Sequence, residues 1–426
     1  MNGRAVIVGG GIGGLLAAHA LARRFGRVSI LERDRYPTSI HTSRPLPRKG
    51  APQSRCLHML TAAGIEAINE LVPGWSAELV ASGAIAFDVS ADAAMRFPAG
   101  WLPRGPSGIT SYASSRALLE RVLRETLWAH ASIEILENAS VVGLSYDEPR
   151  NRVTGVRARI GKTESADIEA DLVIDASGSA SALPKWLGTL PSSPGVIDET
   201  LCWSGTHCVS RWFHIPPPAV PDWICLSIAP VPARPLHSAM MLRAENDCWG
   251  VVLIAPADEP LPASDASFLD VAAALGEGQL RDALAHATPI SPIYQYGPAF
   301  SRMRHFERMT LWPSGLVALG DAVCTLDPFF GLGMTLTARG AALLGRHVDA
   351  TVSGSTLAFQ QELSFLNAEP WSIATGLALD GGDHAAHRRV DELNDKAHTG
   401  PAAARAALEA RHLLHSRERA PAERAP

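Results

Sequence analysis

Residues 5–32 read AVIVGGGIGGLLAAHALARRFGRVSILE, and few folds accommodate such a stretch. An apolar strand over residues 4–8 runs into Gly9, Gly11 and Gly14; a helix follows, and a second apolar strand ends on Glu32. In a β–α–β unit, Gly9 makes the tight turn out of the strand. Gly11 lets the backbone approach a diphosphate, and Gly14 lets helix and strand pack closely. The start of the helix offers free N–H groups and a partial positive charge to phosphate. Glu32, 18 residues past Gly14, stands where a carboxylate meets a ribose diol, and its charge opposes a 2′-phosphate. The stretch therefore predicts an α/β dinucleotide-binding domain, with NADP disfavoured and FAD and NAD both open.

The chain of 426 residues exceeds one typical domain. A formal charge of −5 with 19% charged residues provides no basic field, which argues against a nucleic-acid partner. The six cysteines (56, 202, 208, 225, 248 and 324) show no CxxC or CxxH spacing. Reduced thiols are expected rather than disulfides or zinc, and no metal is expected. With no signal-like segment before the first strand and no run of 18 apolar residues, a soluble cytoplasmic protein without a transmembrane segment is expected.

Residues 33–55, rich in Pro, Arg and Ser, read as a long irregular loop. Apolar residues at 57, 60, 65, 68, 71 and 72 have helical spacing, so the spacing predicts a helix over 56–72. Short strands are expected within 84–97, and Ser114-Ser115 caps a helix over 116–129. Strands follow at 133–136, 140–146, 153–160 and 172–175, the last running into Asp-Ala-Ser-Gly. Between 200 and 255, strands alternate with Pro-rich turns, which indicates a separate sheet. Helical patterns occupy 265–287, and the strand GLVAL (315–319) meets Gly320-Asp321 before a long helix over about 332–350. The remainder is helical, with a disordered tail expected over 416–426. The expected architecture is a discontinuous Rossmann-like α/β nucleotide domain (1–80, 105–190 and 288–350) with an inserted mixed β-sheet substrate domain (81–104 and 191–287). A C-terminal helical segment (351–426) completes it.

GLVALGDAVCTLDPFFGLGMTLTARGAALL (315–344) bears on the choice of cofactor. A buried strand delivers Asp321 to its carboxyl end, where it can accept hydrogen bonds from sugar or ribityl hydroxyls. Gly331 and Gly333 let N–H groups at a helix start approach a ring edge. That suits the N1/C2=O side of a flavin, where negative charge develops on reduction. Taken alone, the segment could be a capped strand–helix junction with structural glycines; together with the N-terminal fingerprint it points to FAD.

GGGIGGL, the strand-end Glu-Arg, SRALLERVLRETL and GDAVCTLDPFFGLGMT resemble class A flavoprotein monooxygenases of the para-hydroxybenzoate hydroxylase fold, whose FAD domain is of the GR2 type. RKGAPQSRCLHMLTAAGIEAINELVPG and DLVIDASGSASALPKWLGTL are similar to bacterial FAD-dependent epoxidases of polyether-precursor polyketides, and more distantly to squalene monooxygenase. The resemblance covers residues 4–350, with a weaker echo at 369–380. It implies that Gly9, Gly11, Ile12, Gly13 and Gly14 hold the diphosphate and Glu32 the adenosine ribose, with Arg33 and Val142 near the adenine. It places Arg116 at the phosphate and ribityl chain, Asp321 on the ribityl hydroxyls and Pro328 beside the isoalloxazine. Gly331, Leu332, Gly333 and Met334 cover the pyrimidine edge. Arg48, Gln53 and His58 fall near the flavin; a solvated loop arginine and a packed helix histidine are the alternative readings of Arg48 and His58.

The resemblance further implies that reduced flavin reacts with O2 to a C4a-hydroperoxide, which epoxidises or hydroxylates an apolar polyketide- or terpenoid-like substrate. The chain departs from the family at Asp175-Ala-Ser177-Gly178, where class A hydroxylases carry an Asp-Gly that helps bind FAD and NAD(P)H, and at Ser179, where the subgroup carries Arg. This leaves two electron donors open: NAD(P)H directly, or a separate flavin reductase. Related halogenases need a Lys and a WxWxIP segment. Here Arg211-Trp-Phe-His-Ile-Pro216 matches only half, and no Lys occurs between 49 and 162. His207, His214 and His237 are the candidate bases, each read as structural, so no catalytic side chain is named. Trp203, Met240, Met241 and Trp249 of the inserted sheet, with Phe329, are expected to form an apolar pocket facing the flavin. A redox-silent cyclase or isomerase, a prenyl C=C reductase and a non-enzymatic flavin-binding module are the alternatives.

Overall fold

The computed structural model describes residues 3–37, 48–161, 164–191, 196–231, 233–234, 236–353, 356–378 and 385–414. Strand Arg4–Val8 sits in the middle of a five-stranded sheet. The order across it is Leu316–Ala318, Leu172–Asp175, Arg4–Val8, Arg27–Glu32, Ile133–Glu137, and every pair is parallel. Its central strands are largely apolar and buried between their ends because both faces are covered, as parallel sheets require. The helix Ile12–Leu21 is buried along nearly its whole length, which explains its lack of a polar face. Parallel strands bring their carboxyl ends to one edge. Gly9, Glu32, Asp175 and Asp321 therefore gather there from four separate parts of the chain.

A three-stranded antiparallel sheet (Ala139–Asp147, Arg152–Ile160 and Glu164–Glu169) flanks this domain. The inserted sheet has eight strands. Its path is Thr288–Pro289, Thr206–His214, Cys248–Pro256, Ser238–Arg243, Cys225–Ile228, Ala93–Phe97, Gly100–Trp101, and Tyr294–Tyr296 also pairs with Thr206–His214. Strand alternation separates its two faces. Val209, Met241, Trp249, Val251 and Leu253 form a core with Phe268 and Leu280 of two covering helices. Met240, Val252 and Ser210 lie in register on the opposite face. The Ser210 hydroxyl on that face donates to the Arg55 carbonyl at 3.2 Å, tying the sheet to the nucleotide domain.

Several expectations need correction. Residues 56–72 are not one helix: Leu57–Met59 is a strand paired with Thr110–Ser115, and the helix covers Ala62–Leu71. Thr61 caps that helix by accepting from the Gly64 N–H at 3.3 Å, so pairing and the cap override the helical spacing before it. The helix capped by Ser115 ends at Leu127, and 265–287 splits into the helices Asp265–Ala273 and Gln279–Leu284. Residues 38–47 of the long loop and the tail 416–426 lie outside the described residues. None of the six cysteines forms a disulfide. Among the described residues there is no cluster able to hold a metal ion, and no helix is long and apolar enough to cross a membrane.

Candidate FAD site

The turn after the first strand leaves no room for side chains. Gly9 has φ +97°, and a Cβ there would lie 2.8 Å from the Ala176 carbonyl oxygen. A Cβ on Gly14 would lie 1.9 Å from the Gly9 carbonyl oxygen, an impossible contact with backbone. At Gly11 the nearest atoms to such a Cβ are the guanidinium tips of Arg48 (3.7 Å) and Arg116 (4.0 Å). No side chain caps the helix that starts at Ile12, so its first N–H groups remain available to an anion.

A buried charge cluster surrounds this turn. Glu32 accepts from the Gly10 N–H at 2.8 Å and from the Asp34 N–H at 2.9 Å. Arg48 lies 3.3 Å from Glu32 and donates to Glu120 at 2.9 Å. Arg116 donates to the other Glu120 oxygen at 2.8 Å. Burial opposes the charge of Glu120, but Arg116 and Arg48 hold its carboxyl below the usual range. Burial likewise opposes the charge of Arg48, and Glu120 and Glu32 more than offset it. Tyr36 donates to the Gly10 carbonyl at 2.5 Å, and its ring lies 4.2 Å from the Arg124 guanidinium carbon. Arg48 is thus a buried, paired residue and not a solvated loop arginine. His58 stands on a strand and not on a helix.

Ser115 holds the start of the Arg116 helix from two sides. It accepts from the Leu118 N–H at 3.1 Å and donates its own hydroxyl and N–H to Glu245 of the inserted sheet domain.

The second motif meets the first at the same sheet edge. Asp321 is half-buried and its carboxylate accepts no hydrogen bond among the described residues. Burial raises its pKa, with Arg116 and Arg302 opposing. A Cβ on Gly333 would lie 3.8 Å from its Oδ1. Asp327 accepts from the Phe329 N–H at 2.8 Å, capping the Pro328–Phe330 turn, and Gly331 closes that turn at φ +64°. Pro328 and Gly331 are exposed, Phe329, Gly333 and Met334 are half-buried, and the Leu332 side chain is in the core. Arg304 secures the loop after Asp321 by donating to the carbonyls of Ala322 (2.7 Å) and Ser179 (3.1 Å).

Asp175 is turned inward. It accepts from the Ser177 hydroxyl (2.5 Å), the Ser177 N–H (3.1 Å) and the Ser181 hydroxyl. Burial still raises its pKa.

Three predicted residues stand apart from the cluster. Arg33 and Gln53 are exposed, and Val142 is 51% exposed on the flanking antiparallel sheet. The expected apolar pocket does not exist as a unit. Trp249 is fully buried against Trp223 (ring centroids 5.5 Å) in the core behind the sheet, and Met241 joins it there. Trp203 is 64% exposed, beside Phe300 on a separate three-stranded sheet. Met240 alone of these occupies the face toward the nucleotide domain. The period-2 alternation of SAMMLRA and CWGVVLIA could have separated Met240 from Trp249.

Sequence reasoning missed Glu120, Tyr36 and Arg304. Glu120 follows Arg116 at the i, i+4 spacing of a helical ion pair and was readable. Tyr36 and Arg304 act through contacts distant in sequence and leave no local signal.

The arrangement fits FAD: an uncapped helix start with two guanidinium groups beside Gly11, and an unpartnered carboxylate at the far end of the same edge. Comparison with known proteins agrees. The family described as FAD binding domain matches residues 3–358. Protein Rv3254 of Mycobacterium tuberculosis is 31% identical over 363 residues, spanning 81% of this chain and 73% of that protein. Among solved structures, the flavin-dependent brominase Bmp2 superposes with a TM-score of 0.69 at 13% identity, covering 97% of this chain and 94% of that one. PqsL of Pseudomonas aeruginosa, in complex with 2-aminobenzoylacetate, gives 0.64 at 18% identity over 93% and 98%. The tetrameric form of 2-methyl-3-hydroxypyridine-5-carboxylic acid oxygenase gives 0.62 at 18% identity over 96% of each chain. At these identities the solved structures establish the fold alone. The chain belongs to the FAD-binding-domain family, has the para-hydroxybenzoate hydroxylase type of fold, and uses FAD as its cofactor.

Proposed function

We propose that this protein is an FAD-dependent monooxygenase that transfers one oxygen atom from O2 to an apolar, polyketide- or terpenoid-like substrate by epoxidation or hydroxylation. The observation that carries this reading is the sheet face turned toward the nucleotide domain, where the apolar side chains of Met240, Val252 and Ile254 are half-buried among small polar ones, Ser210, Ser227 and Ser238. Cys208, in register with Ile254 on that face, is near enough to Asp327 for the two to interact electrostatically. The sheet face therefore adjoins the Pro328–Phe330 turn.

Reduced FAD, when bound, supplies an electrophilic oxygen atom drawn from O2. The chain's own part is to bind, orient and exclude water. Gly9–Gly14, Arg48 and Arg116 hold the diphosphate, Glu32 the ribose and Asp321 the ribityl chain; Arg33 and Val142 flank the adenine. The backbone of Gly331–Met334 covers the pyrimidine edge, and the sheet face keeps the reacting side dry.

No candidate base is buried on this face: His237 is 2.9 Å from Glu259 at the periphery, His207 shares the opposite, Val209 face, and His214, on the Ser210 side by alternation, is exposed at the end of its strand. An alkene accepts an electrophilic oxygen without prior deprotonation, so the lack of a base favours alkene chemistry. The three described lysines, Lys49, Lys185 and Lys396, are exposed, which disfavours halogenation. Asp175, satisfied by serines, is not free for a nicotinamide nucleotide, and this supports electron delivery from NAD(P)H through a separate flavin reductase.

Turnover of candidate polyene or polycyclic substrates under ¹⁸O2, with a flavin reductase supplying electrons, tests the proposal. One ¹⁸O atom per product is expected. Continued turnover with no label in the product would exclude oxygenation and favour redox-silent cyclisation or isomerisation.

A further inference from the structure

His58 is not used by the assignments above, yet it sits inside the cofactor site. On its short strand, Leu57 and Met59 pack against the apolar cluster beneath the inserted sheet. The approach is close: a Cβ on Gly250 would lie 2.9 Å from the Leu57 Cβ. Alternation therefore turns His58 the other way, toward Arg116 and Glu120, and both interact with it electrostatically.

The Nδ1 of His58 lies 3.1 Å from the Cys56 carbonyl oxygen. A carbonyl can only accept, so Nδ1 carries the proton and Nε2 presents a lone pair. Burial and the neighbouring Arg116 push the imidazole down to about 3, so it stays neutral at physiological pH. No hydrogen bond reaches Nε2 among the described residues.

Arg116 links three places. Its guanidinium tip is beside Gly11, its charge depresses His58, and it opposes the raised pKa of Asp321. His58 and Asp321 therefore both flank the arginine that stands between the diphosphate turn and the flavin-end loop. The part of FAD that joins those two ends is the ribityl chain, which carries a run of hydroxyl donors. Two acceptors without donors, one imidazole and one carboxylate, match such a run.

We propose that His58 Nε2 accepts a hydrogen bond from a ribityl hydroxyl of FAD, making His58 a positioning residue for the cofactor alongside Asp321. This rests on FAD as the cofactor and is independent of the oxygenation reading.

The test is equilibrium binding of FAD and of its 2′-, 3′- and 4′-deoxyribityl analogues to the full-length apoprotein, read by flavin fluorescence. The wild type should bind the analogue that lacks the hydroxyl held by His58 about tenfold more weakly than FAD, whatever it loses on an analogue that lacks a hydroxyl held by Asp321. His58→Leu should bind FAD about tenfold more weakly and show no further loss on that same analogue. His58→Gln, which keeps an acceptor, should recover part of the affinity. Discrimination among the analogues in His58→Leu equal to the wild type's, or undiminished FAD affinity in that variant, would overturn the proposal. If His58→Leu does not fold, ¹⁵N spectra of the histidine rings in the wild type decide. The His58 Nε2 signal should move on FAD binding and not on binding of the discriminated analogue, and equal movement with both would refute the assignment.

Discussion

The Arg48 guanidinium lies 3.3 Å from the Glu32 carboxylate, although the two residues reach the sheet edge from the long loop and the second strand. Glu120 completes the arrangement by accepting from both Arg48 and Arg116. Burying these charges is tolerable only because they are matched; removing one partner strands the others. Glu120→Ala should destabilise the apoprotein by about 3 kcal/mol, measured by urea unfolding. FAD should then stabilise the variant by more than it stabilises the wild type, because its diphosphate replaces the lost counter-charge. Equal stabilisation of both would show that the two arginines do not meet the diphosphate.

Asp321→Ala gives a cleaner test of the flavin end. Its carboxylate accepts no hydrogen bond among the described residues, and burial, which raises its pKa, outweighs the pull of Arg116 and Arg302, so the apoprotein should keep its urea midpoint. FAD affinity should fall about tenfold or more, consistent with loss of a charge-assisted hydrogen bond. Flavin retained at the wild-type level through purification would remove the ribityl role.

The fingerprint and the Asp321 segment were legible because each is a local device: glycines at fixed offsets, a strand end, a helix start. Ser115 was legible as a cap for the same reason. The inserted sheet was legible as strands, but the face each side chain takes depends on register, and Trp249 and Met240 fell on opposite faces. Leu57–Met59 was misread because its pairing with Thr110–Ser115 is set some fifty residues away. A solvated arginine stayed open as an alternative reading of Arg48 because two of its three carboxylate partners, Glu32 and Glu120, lie outside its loop, and only Asp34 lies within it.

Acid should weaken the fold through buried neutral histidines. Burial lowers His19 to about 4 from 6.5, with a smaller push from His130, and lowers His412 to about 4, with Arg411 contributing. Between 6.5 and about 4 the unfolded chain binds protons that the folded chain refuses. Stability is therefore complete above 6.5 and is lost as pH falls toward 4, by up to about 3 kcal/mol per histidine. Urea midpoints measured from pH 7 to pH 4.5 should drop along this window, and His19→Gln should flatten the dependence. A variant as steep as the wild type would rule out His19 as a contributor.

The Asp175 carboxylate leads to a prediction about the electron donor. It is enclosed at the end of its strand by Ser177 and Ser181, and the loop that follows is fixed by Arg302 and Arg304 donating to the Ser179 carbonyl. Two guanidiniums on one carbonyl and three donors on one carboxylate leave this loop little freedom to receive a nicotinamide nucleotide. Anaerobic mixing of the holoenzyme with NADH or NADPH should leave the flavin absorbance oxidised over seconds. Adding a flavin reductase with free flavin as carrier should then bleach it. Rapid bleaching by NADPH alone would place a nicotinamide site on this chain and rule out the need for a separate reductase. Ser177→Asp would be an informative companion, because it sets a second carboxylate against Asp175. If the serines only stabilise the loop, Ser177→Asp should lower the urea midpoint without altering the rate of flavin reduction.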